Sequence, residues 1–424
     1  MTKPRRKPKP VQNNRVFFEH VIVFLFLFFL PTQLGKHFFW DFSYVAAIRI
    51  DYLAPTLFLT DILAVILIAL NVKNIIPLFK NKFFLIFTGL MILNIATSLS
   101  QHLTLYKSLK MLELIFLFMV FYKKIITTRL IIVAFLSEGV IQLILSMLQF
   151  FYKHALQGPF YFLGERMLSL NTPGVAKASY EGIEILRPYG SFSHPNSMAG
   201  FYLLLHAFVL TYKPFNAYPV LKYAFLGVSA MLVFISFSKV AILGFFLITL
   251  IYTLTHTKEI NCTFCIISRI LVAIVLAFIF AQAHGDPLSG QKRVDLVKNS
   301  WEIIKNHTFT GVGIGNYLIA QSKFVMKTSY FSLQPVHNIF LLFMAETGVI
   351  LSGYLLFLSW KMKKLLVDNL CLAYCIGIIT FTGMFDHYWL TLQQNLLLST
   401  TLIAFSIKND DIIALHDKKS SPRK

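Results

Sequence analysis

The sequence predicts an all-α, polytopic integral membrane protein with about twelve transmembrane helices and two long outer loops containing short amphipathic helices. Of its 424 residues, 56% are hydrophobic and only 14% are charged. A soluble globular protein carries roughly 25% charged residues, and a membrane-spanning helix needs about 20 mainly apolar ones. Twelve spans would use nearly all of the apolar residues, which excludes a large soluble catalytic domain.

The apolar runs divide the chain into one transmembrane domain and two tails. Residues 1–15 are basic and proline-rich, which indicates a disordered cytosolic tail. The run that begins at Val16 resembles a secretory signal, but no cleavage site follows it and many further apolar runs do, so we interpret it as the first span. The transmembrane domain is predicted at 16–407 and a cytosolic C-terminal tail at 408–424.

Each apolar run is predicted to span the membrane once. The runs lie at residues 16–34, 52–70, 83–100, 106–122, 128–152, 195–212, 218–236, 238–256, 263–283, 336–358, 365–384 and 388–407. Most Lys and Arg residues outside the two long polar segments fall on one side, which the positive-inside rule assigns to the cytosol. We therefore expect a multi-pass protein of the bacterial cytoplasmic (inner) membrane with both termini cytosolic.

The formal net charge of +20 does not indicate a nucleic-acid partner, because the cationic residues lie between hydrophobic runs instead of clustering on a soluble face. The four cysteines are Cys262, Cys265, Cys371 and Cys375. The first two have CxxC spacing, but no second ligand pair follows, so we assign neither a metal nor a disulfide and predict buried small side chains.

The first long outer segment, at about 153–194, ends in an arginine motif beside a helix start. Arg187 precedes a proline and a Gly190 turn, and Pro195 and Asn196 open the next span. Small residues in the first turns of that span suit close helix packing. The pattern predicts an arginine at the outer surface beside a tightly packed helix.

The second long outer segment, at about 284–335, begins with Lys292 and Arg293. Apolar residues then recur at helical spacing, namely Val294, Val297, Trp301 and Ile304. They predict a short amphipathic helix on the outer membrane surface, with Trp301 as an interfacial anchor. The GVGIGNY run that follows lacks the strand-to-helix setting of a dinucleotide site, so its glycines are interpreted as turn residues.

The next span opens with His337 and Asn338 at the outer boundary. On a helix of 100° per residue, Gly348 lies within about 20° of the His337 direction. The same face would then carry an imidazole at the rim and bare backbone deeper down, where a neighbouring helix can pack closely. Charges inside apolar runs need partners, and the spacing of Lys110 and Glu113 predicts that they pair.

These motifs resemble the O-antigen ligase family, whose superfamily also holds O-antigen polymerases and bacterial protein O-oligosaccharyltransferases. The resemblance covers most of the chain, and the order and sidedness of the motifs make it specific. It rests on Arg187-Pro-Tyr-Gly190 with His194-Pro-Asn196, on Arg293 ahead of Trp301 and Gly311-Val-Gly313-Ile-Gly315-Asn316, and on His337-Asn338 with Gly348.

The resemblance implies a membrane-embedded glycosyltransferase that moves a glycan from undecaprenyl diphosphate to an acceptor hydroxyl on the outer face. The expected partners are this lipid-linked donor, a lipid or glycan acceptor and membrane lipids, with no cofactor and no metal. A polymerase or protein O-oligosaccharyltransferase of the same superfamily is the alternative. The family often has Ser-Arg where this chain has Ser238-Lys239, so Lys239 is either a third cation near the diphosphate or a lysine that snorkels to the interface.

The residue types suit this chemistry. Arg187 and Arg293 would neutralise the departing diphosphate through their guanidinium groups, and His337 would take the proton of the acceptor hydroxyl. Substrate-binding residues are predicted to be Asn338, Lys239, Asn196 and Lys292. Asp386-His387-Tyr388, in the last outer turn, would either hydrogen-bond the catalytic loop or cap a helix, and capping is favoured.

Two other classes of protein were weighed. A transporter or flippase of an anionic solute should keep its essential charges near mid-membrane, whereas Arg187, Arg293 and His337 all map to the outer rim. A structural or assembly protein is favoured only if those three residues lie far apart in space.

Overall fold

The computed structural model describes residues 14–124, 126–180, 183–255, 287–324 and 333–407, with the single positions 267, 271 and 274. It is 73% helical with few strands, which confirms the mostly helical class. Residues 1–13, most of the predicted span at 263–283 and residues 408–424 lie outside the described residues, as do Cys262 and Cys265.

The helices follow the predicted runs, but several of them are shorter than predicted or broken. In the N-terminal half they are α1 (Asn14–Phe28), α2 (Leu59–Leu70), α3 (Val72–Ile75), α4 (Lys82–Ala96), α5 (Gln101–Lys123), α6 (Thr128–Tyr152) and α7 (Pro195–Thr211). In the C-terminal half they are α8 (Pro219–Ile235), α9 (Lys239–Thr255), α10 (Pro287–Asn306), α11 (Tyr317–Gln321), α12 (Ile339–Lys361), α13 (Lys363–Asp368), α14 (Leu370–Gly383), α15 (Tyr388–Thr391) and α16 (Gln393–Ile407).

Only some of these helices are long and apolar enough to cross a membrane by themselves. Within the described residues, α6 and α12 qualify, and a third span results if the bent pair of α2 and residues 72–80 is counted as one. Four shorter apolar helices are α4, α8, α9 and α14. Apolar helices therefore fit a membrane protein, while the number of twelve spans stays a prediction.

The strands are short and lie on the loops between helices. They are β1 (Gly35–His37), β2 (Tyr44–Val45), β3 (Ile48–Arg49), β4 (Thr56–Phe58), β5 (Lys177–Tyr180) and β6 (Ile183–Leu186), paired antiparallel as β1–β4, β2–β3 and β5–β6. Because β4 occupies the outer end of the span predicted at 52–70, the helix there begins only at Leu59.

Helix α7 lies at the centre of the main core, with nearly all of its side chains buried between α6, α8, α14 and α16. Its small residues permit this packing, as predicted. A Cβ atom on Gly200 would lie 2.2 Å from the hydroxyl oxygen of Tyr388. Cys371 and Cys375 are buried in the same core, as predicted for these two small side chains.

The first outer segment is tied to the outer end of α6. The Oε1 atom of Gln149 accepts the backbone N–H groups of Tyr189 and Gly190 at 2.9 and 2.8 Å, and its Nε2 donates to Glu165 at 2.8 Å. Gly190 has φ +57°, which glycine adopts without strain. These bonds hold the chain that follows Arg187 against the helix bundle.

The second outer segment packs its backbone into a break in α12 at Gly348, where φ is 65° and ψ is −178°. The sequence predicts a continuous helix here, so the break is a correction. Two N–H groups of α12 beyond the break bond instead to the preceding loop: Val349 to the carbonyl of Thr308 at 2.8 Å and Ile350 to that of Phe309 at 3.2 Å. The close neighbour predicted at Gly348 is thus a loop and not a helix.

Candidate functional site

Five polar side chains from distant parts of the chain meet near the outer ends of α7, α12 and α14. Arg187 comes from the first outer segment, Asn196 from the first turn of α7, His337 from the approach to α12, and Asp386 and His387 from the turn between α14 and α15. We call this group the outer polar cluster.

The cluster forms a continuous chain of contacts. The Arg187 Nη2 atom donates to Asn196 Oδ1 at 2.7 Å, and Asn196 Nδ2 donates to Asp386 Oδ2 at 3.0 Å. The other carboxylate oxygen of Asp386 lies 3.5 Å from His337 Nδ1. A half-buried arginine and a histidine are thereby joined through one amide and one carboxylate.

Arg187 is held in place on its other edge too. Its Nε atom donates to the backbone carbonyl of Ser236, in the turn between α8 and α9, at 2.9 Å. Among the described residues, none accepts a hydrogen bond from Nη1, which leaves this atom as a donor that a ligand could use. Burial lowers the pKa of Arg187 to about 10, which leaves the group charged at neutral pH.

His387 lies beside His337, with 5.2 Å between the ring centres. Its Nδ1 atom is 2.8 Å from the hydroxyl of Thr391, and its Nε2 atom is 4.0 Å from Asp386 Oδ1. The Tyr52 ring contacts the opposite side of His387 edge-on at 5.8 Å. This packing fixes the orientation of the imidazole.

Asp386 and two histidines near it have shifted pKa values. Burial by itself raises the pKa of Asp386. The contact with His337 and the positive charges that His387 and His194 carry at low pH outweigh burial, so the pKa of Asp386 lies well below its usual range. Burial lowers the pKa of His387 to about 4 and that of His194 to about 3. The site therefore holds one carboxylate, one guanidinium and two neutral histidines, with His337 facing the carboxylate.

Three members of the cluster have the donor types of a metal site. One ligand atom each from His337, Asp386 and His387 lies within 4.8 Å of the others. The bond of His387 Nδ1 to Thr391 leaves Nε2 for a ligand, an arrangement typical of metal-binding histidines. The resemblance described above implies no metal, and this stays a prediction.

Two predicted substrate-binding residues adjoin the cluster. Asn338 precedes α12, where its Oδ1 accepts the N–H groups of Phe340 and Leu341, and its Nδ2 donates to the carbonyl of Met384 at 3.3 Å. Lys239 begins α9, three residues after the Ser236 carbonyl that binds Arg187. Asn338 thus fixes the helix start next to His337, and the role of both residues in binding substrate stays a prediction.

Arg293 and Lys292 are not brought into this group. Both lie on α10, which packs against α11 and α12 as the predicted amphipathic helix. The Arg293 side chain is exposed, and no described contact joins it to the cluster. Lys292 is half-buried. The structure thus joins Arg187 to His337 but leaves Arg293 apart, and the predicted catalytic role of Arg293 is untested.

Asp386 and His387 were underestimated by sequence reasoning. The capping interpretation of this turn is wrong, because no side-chain cap bond is formed at the start of α15. Asp386 accepts from Asn196, 190 positions earlier in the chain, and from the backbone N–H of His387 at 2.8 Å. The signal that was available is the run Asp386-His387-Tyr388 on the same outer side as the other site residues.

Comparison with known proteins agrees with the resemblance described above. Residues 224–358 match the family model for O-antigen ligase. The resemblance to the O-antigen ligase family is therefore confirmed. The matched segment runs from α8 to α12 and includes Lys239, Arg293 and His337, whereas Arg187 and Asp386 lie outside it. No curated protein matches the chain.

Over residues 224–358 the chain is thus similar to O-antigen ligases, a likeness that supports a glycosyltransferase-like function, and its apolar helices fit a membrane protein. The likeness also implies a lipid-linked glycan and an acceptor as partners in general terms.

Proposed function

We propose that the protein transfers a glycan from an undecaprenyl diphosphate carrier to an acceptor hydroxyl at the outer face of the bacterial inner membrane, as an O-antigen ligase does. The observation that carries this proposal is the chain of contacts from Arg187 through Asn196 and Asp386 to His337. These contacts hold the Arg187 guanidinium and the His337 imidazole in one cluster, joined through Asn196 and Asp386.

In the proposed step, the acceptor oxygen attacks the anomeric carbon of the glycan, and the bond from that carbon to the diphosphate breaks. The proton of the hydroxyl passes to His337, and the diphosphate leaves with the bonding electron pair. Asp386 faces the Nδ1 atom of His337, so a proton on Nδ1 keeps Nε2 free as the base. This division of roles follows the logic of carboxylate–histidine pairs in other enzymes.

The cation assists the leaving group. Negative charge develops on the diphosphate as the bond breaks, and a fixed donor that is already in place stabilises it without reorganising. The open edge of Arg187 is such a donor, since its Nε and Nη2 atoms are already anchored. No nucleotide sugar is required, because the lipid diphosphate is itself the activated donor.

The proposal is tested by incubating the purified protein with an undecaprenyl diphosphate-linked glycan and candidate acceptors. His337→Ala should lose about 10²- to 10⁴-fold in transfer rate, as expected for removal of a general base, while membrane insertion is retained. His307→Ala, which changes another outer histidine, is the matched control. Wild-type rates in His337→Ala would remove the base from the mechanism.

The same assay with a chelator tests the metal question. We propose that transfer needs no metal, because Arg187 supplies positive charge at the leaving group. EDTA should then leave the rate unchanged. Loss of activity in EDTA with recovery on adding Zn²⁺ would instead make His337, Asp386 and His387 a metal centre.

A further inference from the structure

The first outer segment carries a second arginine beside the outer polar cluster. Arg166 is exposed, and its Nη1 atom lies 3.4 Å from the backbone carbonyl oxygen of Ser193. Ser193 comes three residues before Asn196, whose amide accepts from Arg187. The two guanidinium groups therefore contact the same short stretch of chain, which leads into α7, from two different parts of the segment.

Charge interactions show how near Arg166 lies to the cluster. The hydroxyl of Tyr189 is within electrostatic range of both Arg187 and Arg166. The hydroxyl of Tyr52 is within electrostatic range of both Arg166 and Asp386, and the Tyr52 ring contacts an imidazole of the cluster. Arg166 is thus close to both ends of the contact chain that runs from Arg187 to the histidines.

The backbone that carries Arg166 is firmly held. The preceding residue, Glu165, is buried, and its carboxylate accepts three hydrogen bonds, one from the side chain of Gln149 on α6 and two from backbone N–H groups of the same loop. The Thr32 hydroxyl, in the chain that follows α1, donates to the carbonyl of Leu163 at 2.7 Å. A side chain on a fixed backbone loses less conformational entropy when it binds a ligand.

The donors around Arg166 outnumber their acceptors. Among the described residues, Arg166 makes the one hydrogen bond to the Ser193 carbonyl and no ion pair, although a guanidinium has five N–H donors. The hydroxyl oxygen of Ser193 is buried and has no hydrogen-bond partner in the part of the chain that the structure describes. Nη1 of Arg187 adds a further donor. Such a group suits an anion with several oxygen atoms.

We propose that Arg166 is the second cation that binds the diphosphate of the donor, so that the first outer segment supplies both guanidinium groups. The inference rests on the proposed function, in which the donor is a lipid diphosphate. Two guanidinium groups suit the two phosphoryl groups of a diphosphate, whereas one is enough for a single phosphate. The sequence predicts Arg293 for this second role, and the structure leaves Arg293 apart from the cluster.

Direct binding of short lipid phosphates tests the inference without catalysis. The probes are farnesyl diphosphate and farnesyl monophosphate, titrated calorimetrically into the full-length protein in detergent micelles. Wild type should bind the diphosphate about tenfold or more tightly than the monophosphate. Arg166→Gln should weaken diphosphate binding about tenfold but monophosphate binding about twofold at most, because Arg187 still holds one phosphate. The preference for diphosphate should then be largely lost.

Lys153→Gln is the matched control. Lys153 is another exposed cation of the same outer segment, and no described contact joins it to the cluster, so both affinities should stay within about twofold of wild type. Arg166→Lys keeps the charge but not the planar fork and should lose part of the preference, which gives a second variant if Arg166→Gln does not fold. In the transfer assay, Arg166→Gln should raise KM for the donor about tenfold and leave KM for the acceptor within about twofold.

The possible results separate this inference from the proposed function. Equal affinity of wild type for the two probes, or an unchanged preference in Arg166→Gln, would overturn the inference. Loss of the preference in Arg293→Gln but not in Arg166→Gln would assign the second cation to Arg293 and overturn it as well. Absence of glycan transfer by wild type, with a diphosphate preference that depends on Arg166, would refute the proposed function and leave a diphosphate-binding site.

Discussion

Asn196 and Asp386 link Arg187 to His337, so the geometry of the site depends on which side chains stand at these two positions. Asn196 accepts from Arg187 and donates to Asp386 with the same amide. An aspartate at position 196 would place a second carboxylate against Asp386, and a leucine would remove the acceptor of the Arg187 Nη2 atom. The amide therefore joins a cation and an anion at a fixed separation without letting them neutralise each other.

Replacing arginine by lysine keeps the positive charge and therefore tests whether the guanidinium group itself is needed. Arg187→Lys should lower transfer about tenfold to a hundredfold, because a single ammonium nitrogen cannot reproduce the planar fork in which Nε bonds to Ser236, Nη2 bonds to Asn196 and Nη1 is left for the diphosphate. Steady-state transfer rates measure the loss.

Arg293→Lys is the comparison for this prediction. From the sequence, this change is predicted to be poorly tolerated, while the structure leaves the Arg293 side chain exposed on α10. Full activity in Arg293→Lys would make Arg293 a surface charge, and full activity in Arg187→Lys would contradict the role of the guanidinium.

His194 makes stability depend on pH. Its Nδ1 atom accepts the N–H of Asn196 at 3.1 Å at the start of α7, which requires the neutral ring. Its folded pKa of about 3 lies below the ordinary value of 6.5, so the unfolded chain binds a proton first as the pH falls. The contribution of the neutral His194 ring to the free energy of unfolding should therefore be fully present above about pH 6.5 and should decrease as the pH falls towards 3.

The measurement is the apparent melting temperature of the detergent-solubilised protein as a function of pH. His194→Asn keeps a side chain suited to the N-cap but removes the titration, so its stability should decline less between pH 6.5 and 4. An equal decline in both proteins would show that His194 does not cause it.

At the scale of elements, the break in α12 fixes the second outer segment to the helix that His337 precedes. Gly311 and Gly313 have positive φ and approach the broken turn, where Val312 and Gly313 donate to the carbonyls of Ala345 and Glu346 at 2.9 Å. The backbone groups freed by the break are thus satisfied by loop backbone. Glycine is needed at Gly348 because a Cβ atom there would lie 2.3 Å from the carbonyl oxygen of Phe309.

Gly348→Ala should therefore destabilise the protein by about 2 kcal/mol or more, through overpacking and through a positive φ on a residue with a Cβ atom. Gly353→Ala, further along α12, meets nothing within 4 Å and should be neutral or stabilise by up to about 1 kcal/mol. Thermal unfolding in detergent compares them. Equal melting temperatures would show that the contact at Gly348 carries no strain.

At the scale of the whole molecule, the proposal requires both long polar segments to lie outside the bilayer. Met167, in the first outer segment, has 82% of its surface exposed, and Lys73, in a predicted inner loop, is exposed too. In a cysteine-free background, an impermeant thiol reagent applied to spheroplasts should label Met167→Cys at once and Lys73→Cys only after permeabilisation. The reverse pattern would put the cluster on the cytosolic side and end the proposal.

The sequence alone predicts the membrane class, the mostly helical fold and the two polar segments that hold much of the candidate site. These properties follow from hydropathy and local spacing, which depend on residues close together in the chain. The helix start at Asn338 and the pairing of Lys110 with Glu113 were predicted for the same reason, and both are present.

Only the tertiary structure decides which of the candidate residues share a site. Arg187, His337 and Asp386 converge because α7 packs in the core between helices from both halves of the chain, and no local pattern encodes that packing. The same packing leaves Arg293 apart and gives Asp386 a partner at Asn196 in place of a helix cap. Long-range contacts depend on how apolar faces fit together in three dimensions, so residue types can nominate a site but only the fold can assemble it.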